Sequence, residues 1–185
     1  MISKYHIAIL LFVLLSSVTS AEAEQISYPK IVNKWAKGVL KEYRLPEKQD
    51  LKGHWLECAK AGKHPPYWTS GDYNGDGVED CAFILINKKK SNYAVFALVS
   101  KKGKFKLHNV HVFKDSLYQD YGIGCVKPGI YQTANGKGYG IHDPNAPDSV
   151  KIINESILWY LCESSSSFYY WDFKSESFKK VWISD

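Results

Sequence analysis

The sequence predicts an α+β fold, in which an N-terminal helix or helices pack on a mostly antiparallel, twisted sheet. Two observations lead to this prediction: apolar residues recur at helical spacing near the N-terminus, and the chain beyond Asp80 consists of short apolar or alternating runs joined by brief connections. Aromatic residues make up 15% of the chain, which favours strands. We therefore expect helical elements first, followed by a series of antiparallel strands.

The first expected helix spans residues 29–44. Pro29 suits a first helical turn, and Pro46 ends the segment. The apolar residues of the segment fall on one helical face: Ile31, Val32, Trp35, Val39, Leu40 and Tyr43. A shorter second helix is expected over residues 50–61.

Strands are expected at 81–86, 93–99, 104–113, 129–133, 138–142, 150–153, 156–162, 168–172 and 178–183. The first two are apolar on both faces, as in strands that are covered on both sides. In the third, the parity of the apolar positions shifts after Leu107, which indicates a bulge. His108 and His111 are three residues apart and are expected on opposite faces, which argues against a joint metal site. The aromatic run 168–171 is interpreted as core packing, with stacking on a sugar or a base as the alternative.

Residues 1–23 have the layout of a secretory signal peptide. Lys4 precedes the apolar core 7–15, and Ala21-Glu22-Ala23 has the A-x-A form of a cleavage site. The alternative is a membrane anchor, but the apolar core is shorter than the roughly 20 residues that a spanning helix needs. We therefore expect residues 24–185 to form a single globular domain, secreted or periplasmic, with no membrane span after cleavage.

The distribution of charge along the chain does not indicate a nucleic-acid partner. The net charge is +5, and the excess is spread over short lysine runs where turns are expected. No nucleic-acid recognition motif or basic helix accompanies these lysines. We expect no nucleic-acid partner.

Four cysteines follow the signal peptide: Cys58, Cys81, Cys125 and Cys162. An even number of cysteines in an exported protein favours two disulfides, and the sequence leaves all three pairings open. The alternatives are a thiol nucleophile and a zinc site. No C-x-x-C motif occurs, and the spacing of His54, Cys58 and His64 matches no standard zinc pattern.

The segment GDYNGDGVED, residues 71–80, is the candidate metal site. With Asp72 as position 1, oxygen-bearing side chains fall at positions 1, 3, 5 and 9, namely Asp72, Asn74, Asp76 and Asp80. Gly77 lies at position 6, where a calcium loop turns sharply, and Val78 at position 7 would offer its backbone carbonyl. All of these donors are hard oxygens, which favours Ca²⁺, with Mg²⁺ as the alternative. A turn that needs no metal is the simpler reading of the same residues.

This segment resembles the calcium-binding loop of FG-GAP (VCBS, integrin-alpha type) repeats. The family pattern is D-x-[D/N]-x-D-G-x-x-D, followed by small and aliphatic residues, and Ala82–Leu85 supply the strand that follows. The resemblance implies a loop that joins two strands and binds calcium. It differs from an EF-hand, because Phe83 stands where the bidentate glutamate is required. The chain has one such loop, so a propeller built from several repeats is not expected.

The motifs favour a binding protein over an enzyme. No G-x-S-x-G, Walker or H-E-x-x-H motif occurs, and no catalytic residue is assigned. We expect a calcium-binding, disulfide-stabilised, non-enzymatic domain that binds an unidentified protein or envelope component, as an inhibitor or immunity-type protein does. The alternative is a secreted hydrolase that acts on glycan or cell-wall material and carries a structural calcium ion.

Overall fold

The structure is a computed structural model. It describes residues 28–39, 41–61, 64–89, 92–114, 117–139, 146–161 and 164–184. The expected signal peptide, residues 1–23, lies outside these ranges.

The predicted α+β fold class is wrong. The structure is mostly antiparallel β-sheet, and its described part has only two short α-helices, α1 (Lys30–Val39) and α2 (Gly53–Lys60), with no N-terminal helix bundle packed on a sheet. Tyr43 was expected to continue the first helix. Instead it pairs with Asn87 as part of a strand, so cross-strand hydrogen bonding overrides the helical spacing.

Eleven strands are described: β1 (Tyr43–Arg44), β2 (Trp68–Gly71), β3 (Asp80–Asn87), β4 (Tyr93–Lys101), β5 (Lys104–Phe113), β6 (Tyr121–Val126), β7 (Gly129–Gln132), β8 (Ser149–Ile152), β9 (Ser156–Leu161), β10 (Ser166–Asp172) and β11 (Ser177–Ser184). Two short 3-10 helices lie at Lys48–Asp50 and Tyr118–Asp120. The strand expected at 138–142 is not found at Gly138 and Tyr139, which lie in a turn, and residues 140–142 lie outside the described ranges.

The strands form three antiparallel sheets. In the first sheet the order is β1-β3-β4-β5, and β2 also pairs with β3. The second sheet has the order β11-β10-β9-β6, and β7 and β8 form a separate two-stranded sheet. Every described strand pair is antiparallel, as the short connections predicted.

The main core lies between the first and second sheets. Ala82, Ile84 and Val95 of the first sheet share one buried cluster with Ile157 and Trp159 of the second. On the opposite face of the first sheet, a second cluster is formed by Cys81, Phe83, Leu85, Ala94, Phe96, Leu98 and Val32 of α1. Strands β3 and β4 are therefore buried on both faces, which confirms the prediction made from their apolar runs.

The bulge that was predicted in the third strand lies at Val110 of β5. His111 pairs with Val95 and Asn109 pairs with Phe96, so Val110 is the extra residue. Because the bulge adds one residue, the side chain of His111 lies on the same face of the strand as that of His108. Consequently His108 and His111 both pack against the second sheet, His108 on Trp171 and His111 on Tyr169. The expectation that the two histidines lie on opposite faces is wrong for this reason.

Candidate metal site

The candidate loop connects β2, which ends at Gly71, to β3, which begins at Asp80. The two strands pair with each other, so the loop closes a hairpin. Two glycines of the loop have positive φ, 74° at Gly75 and 81° at Gly77. Residues with a side chain rarely adopt this conformation, so glycine at these two positions permits the tight turns.

Asp72 organises the first half of the loop by accepting hydrogen bonds from its backbone. Its Oδ1 accepts from the N–H groups of Gly75 (2.8 Å) and Asp76 (3.1 Å), and its Oδ2 accepts from the N–H of Gly77 (2.9 Å). Three backbone N–H groups therefore point toward one carboxylate. This arrangement fixes the path of the loop before any ion is considered.

Three other polar side chains of the loop meet at Ser100, a fully buried residue near the end of β4. Asn74 Nδ2 donates to the Ser100 carbonyl at 2.5 Å, and the Ser100 hydroxyl donates to Asp76 Oδ2. The Ser100 N–H donates to Asp80 Oδ1 at 2.7 Å. Thus Asn74, Asp76 and Asp80, three of the predicted oxygen ligands, are brought to the same place.

Asp80 is the buried carboxylate of the site, with no exposed surface. Its Oδ2 accepts a hydrogen bond from the N–H of Tyr73 at 3.0 Å, in addition to the one from Ser100. Burial raises the pKa of Asp80 to about 6, the carboxylates of Asp76 and Asp72 also raise it, and the two N–H groups act against this rise. The site therefore holds a carboxylate in surroundings that disfavour its charge.

Asp76, Val78 and Glu79 lie on the exposed part of the loop. The hydrogen bond from the Ser100 hydroxyl lowers the pKa of Asp76, and the Val78 N–H, which donates to Asp76 Oδ1 at 3.0 Å, lowers it further. Glu79 is not a predicted ligand, and it accepts a hydrogen bond from Ser70 Oγ at 2.9 Å. Removal of the Glu79 carboxylate is thus a matched control for removal of Asp76.

The donor chemistry of the loop fits a hard cation, because the side chains of Asp72, Asn74, Asp76 and Asp80 offer only oxygen to it. In the conformation described, these oxygens accept hydrogen bonds from the backbone and from Ser100. Within the described ranges, no three His, Cys, Asp or Glu side chains come together as a metal-binding group. Calcium binding therefore stays a prediction based on the donor set and its spacing.

The connection between β8 and β9 contacts the loop through two side chains. Glu155 Oε2 accepts a hydrogen bond from the Asp72 N–H at 2.8 Å, and its other oxygen pairs with Lys127. Asn154 Nδ2 donates to the Tyr73 carbonyl at 3.3 Å. No pattern in the sequence indicates Glu155 or Asn154, since both are about 80 residues from the loop and flank no motif.

A groove runs beside the loop and consists of two adjoining pockets of about 230 and 330 Å³. Both pockets are lined by Trp171 and Phe173, and Phe173 is 54% exposed. The loop contributes Asn74 to the smaller pocket and Tyr73 to the larger one. The aromatic run 168–171 is thus divided: Phe168 and Tyr169 are buried in the core, as predicted, whereas Trp171 also lines the groove.

The carboxylates of the groove are paired with lysines. Glu176 lies 2.5 Å from Lys101, and Asp172 lies 3.1 Å from Lys179. The hydrogen bond from Lys101 lowers the pKa of Glu176, and those from Ser175 and Lys179 lower the pKa of Asp172. Both groups are therefore ionised at neutral pH, the opposite of what a general acid requires.

The structure describes three of the four cysteines. Cys58 is buried in α2, with its Sγ 3.3 Å from His54 Nε2, whereas Cys81 in β3 and Cys125 in β6 carry free thiols. Cys162 lies outside the described ranges. Burial raises the pKa of the Cys81 thiol to about 12 and also raises that of Cys125, which argues against a nucleophilic role for either.

The two disulfides stay a prediction, and thiol titration tests it. In protein purified after export and denatured without reductant, we expect no reactive thiol, and four after reduction, because export exposes the chain to oxidising conditions. Protein kept reduced in the cytoplasm serves as the control. Free thiols in the exported protein would contradict the prediction, and two of them would be consistent with the free Cys81 and Cys125 of the structure.

Comparison with known proteins identifies no relative. No protein-family model, no curated protein and no solved structure matches the chain. Among the helices that the structure describes, none has the length and apolar character required to cross a membrane.

Proposed function

We propose that this protein is a secreted or periplasmic, calcium-binding, non-enzymatic domain that binds a protein or an envelope component through the groove beside its loop. The N-terminal signal-peptide pattern supports the location. The loop supports the metal, since its donors are those that calcium prefers. Two disulfides belong to the same proposal.

The observation that carries the proposal is the contact of the loop with Ser100, which lines the smaller pocket of the groove together with Asn74. Asn74 and Asp76 contact Ser100, and Asn74 also lines the smaller pocket. An ion held by the predicted ligands would offset the repulsion among three nearby carboxylates and fix this wall of the groove. Calcium would then act structurally, by holding a binding surface in shape.

The groove itself favours binding over hydrolysis. Its described pockets combine exposed aromatic surface with lysines, and such surfaces commonly mark interaction sites. A glycoside hydrolase needs one carboxyl with a raised pKa beside a second carboxylate. Glu176 and Asp172 instead have lowered pKa values and lysine partners.

A pull-down from the native envelope fraction tests the proposed function. We expect the exported protein to retain a partner in calcium and to lose it in EGTA. Phe173→Ser should abolish capture, because it removes apolar surface from the groove. Ile130→Ser is the matched control, since Ile130 is 75% exposed on β7 and lines neither pocket.

Two outcomes would overturn the proposal. Equal loss of capture in the Phe173→Ser and Ile130→Ser variants would show that the groove is not the binding surface. Turnover of a glycan or cell-wall substrate that disappears on changing Glu176 or Asp172, with folding intact, would favour the hydrolase.

A further inference from the structure

A group of polar side chains lies on the inner face of the second sheet, where it meets β5. We call Trp159, Ser167, Tyr169, His111 and Lys180 the inter-sheet polar cluster. Strand register places Ser167 opposite Trp159, and Tyr169 opposite Lys180. Since Ser167 and Tyr169 are two residues apart in β10, these four side chains share one face. His111 of β5 packs on Tyr169, with ring centroids 5.7 Å apart.

Three polar atoms of the cluster are buried without a hydrogen-bond partner among the described residues: Trp159 Nε1, Ser167 Oγ and Tyr169 OH. Ser167 is 0%, Tyr169 1% and Trp159 8% exposed. Buried polar groups in folded proteins are almost always hydrogen-bonded. Three such atoms on one face therefore point to a ligand that accepts hydrogen bonds from them.

The basic residues of the cluster are Lys180 and His111, and the cluster contains no carboxylate. Lys180 is at its exposed edge, with Nζ 5.4 Å from the centroid of the Trp159 ring, and it forms no ion pair with any carboxylate that the structure describes. Partial burial lowers the pKa of Lys180, and burial together with Lys180 lowers the pKa of His111. The surroundings are thus positive and partly dehydrated.

These donors define the ligand. An indole N–H and an ammonium group can only donate hydrogen bonds, and the two hydroxyls can donate as well. We propose that the inter-sheet polar cluster binds a small anion, either a free inorganic ion or the carboxylate of a small organic acid. This site is separate from the loop, so the proposal of an anion site does not depend on the function proposed above.

Titration of the isotopically labelled exported protein, followed by NMR of its indole N–H signals, tests this site. The Trp159 signal is identified by its absence in Trp159→Phe, which keeps an aromatic ring and removes the N–H. We expect chloride or acetate to shift this signal saturably at constant ionic strength. Saturation by chloride indicates an inorganic ion, and saturation by acetate alone indicates a carboxylate.

Matched variants separate a bound anion from general screening. Lys180→Met, Tyr169→Phe and Ser167→Ala should each weaken binding about tenfold, the usual effect of losing one hydrogen bond to a charged ligand. Lys179→Met removes the same charge from the neighbouring position, which faces the other way, and should leave binding unchanged. Absence of a saturable shift, or equal effects of Lys179→Met and Lys180→Met, would overturn the proposal.

Discussion

Replacement of Asp50 by alanine is expected to lower the free energy of unfolding by about 1.5–3 kcal/mol, the usual contribution of hydrogen bonds to a charged group. Asp50 is 4% exposed. Its two oxygens accept hydrogen bonds from the Arg44 guanidinium at 2.5 and 2.8 Å, from the Glu47 N–H at 2.8 Å and from the Tyr118 hydroxyl at 3.1 Å. The variant leaves all of these donors without their acceptor.

Urea unfolding of the exported protein measures this loss. Glu57→Ala is the matched control, since it removes an exposed carboxylate from α2 and should change stability by less than about 0.5 kcal/mol. Adding Arg44→Met to Asp50→Ala should recover part of the loss, because no half-buried charge is left without its partner. A loss below about 1 kcal/mol for Asp50→Ala would mean that the pair behaves like a surface salt bridge.

The effect should also depend on pH. Burial opposes ionisation of Asp50, but the hydrogen bonds from Arg44 and from the Glu47 N–H hold its pKa below the ordinary value of 3.8. A carboxyl group with a lowered folded-state pKa stabilises the fold above its ordinary pKa and loses this contribution as the pH falls further. The difference between wild type and Asp50→Ala should therefore be constant near neutral pH and shrink below pH 3.8.

The fold was predictable where local pattern and tertiary environment agree. Strands β3 and β4 are apolar at successive positions, and both are buried on two faces. Strand β6 was not predicted, because its two glycines interrupt the apolar pattern that would indicate a strand. A side chain at Gly122 would place its Cβ 2.2 Å from the Tyr160 ring, so the glycine is required by a residue 38 positions later. No local pattern contains that information.

The candidate site was predictable to a similar extent. The spacing of oxygen-bearing residues located the loop, and the structure places three of them around Ser100. The contacts of Ser100 and Glu155 with the loop are set by strand pairing and sheet packing, across 20 to 83 residues of sequence. The positions of His108 and His111 depended on a one-residue bulge, which moves every later side chain of the strand to the opposite face of the sheet.

Calcium should stabilise the protein, by about 2.7 kcal/mol when free calcium is 100 times Kd. An ion that binds the folded loop but not the unfolded chain shifts the folding equilibrium by mass action. The loop lacks the bidentate glutamate of an EF-hand, so water should complete the shell and Kd should be roughly 10⁻⁴–10⁻³ M. For a chain of this size the melting temperature should rise by about 5–11 °C.

Two variants with the same change of charge decide whether the loop is responsible. Asp76→Ala should abolish calcium binding in calorimetry and remove the difference between the melting temperatures in calcium and in EGTA, because Asp76 is a predicted ligand. Glu79→Ala should leave both unchanged, since the Glu79 carboxylate faces Ser70 instead. Magnesium should stabilise less, because it requires a near-ideal octahedral site that a flexible, carboxylate-rich loop does not supply. If calcium at 100 times this Kd, roughly 10–100 mM, leaves the wild-type melt and the calorimetric baseline unchanged, the hydrogen bonds of Asp72 and Ser100 alone shape the loop, and it is a turn without a metal.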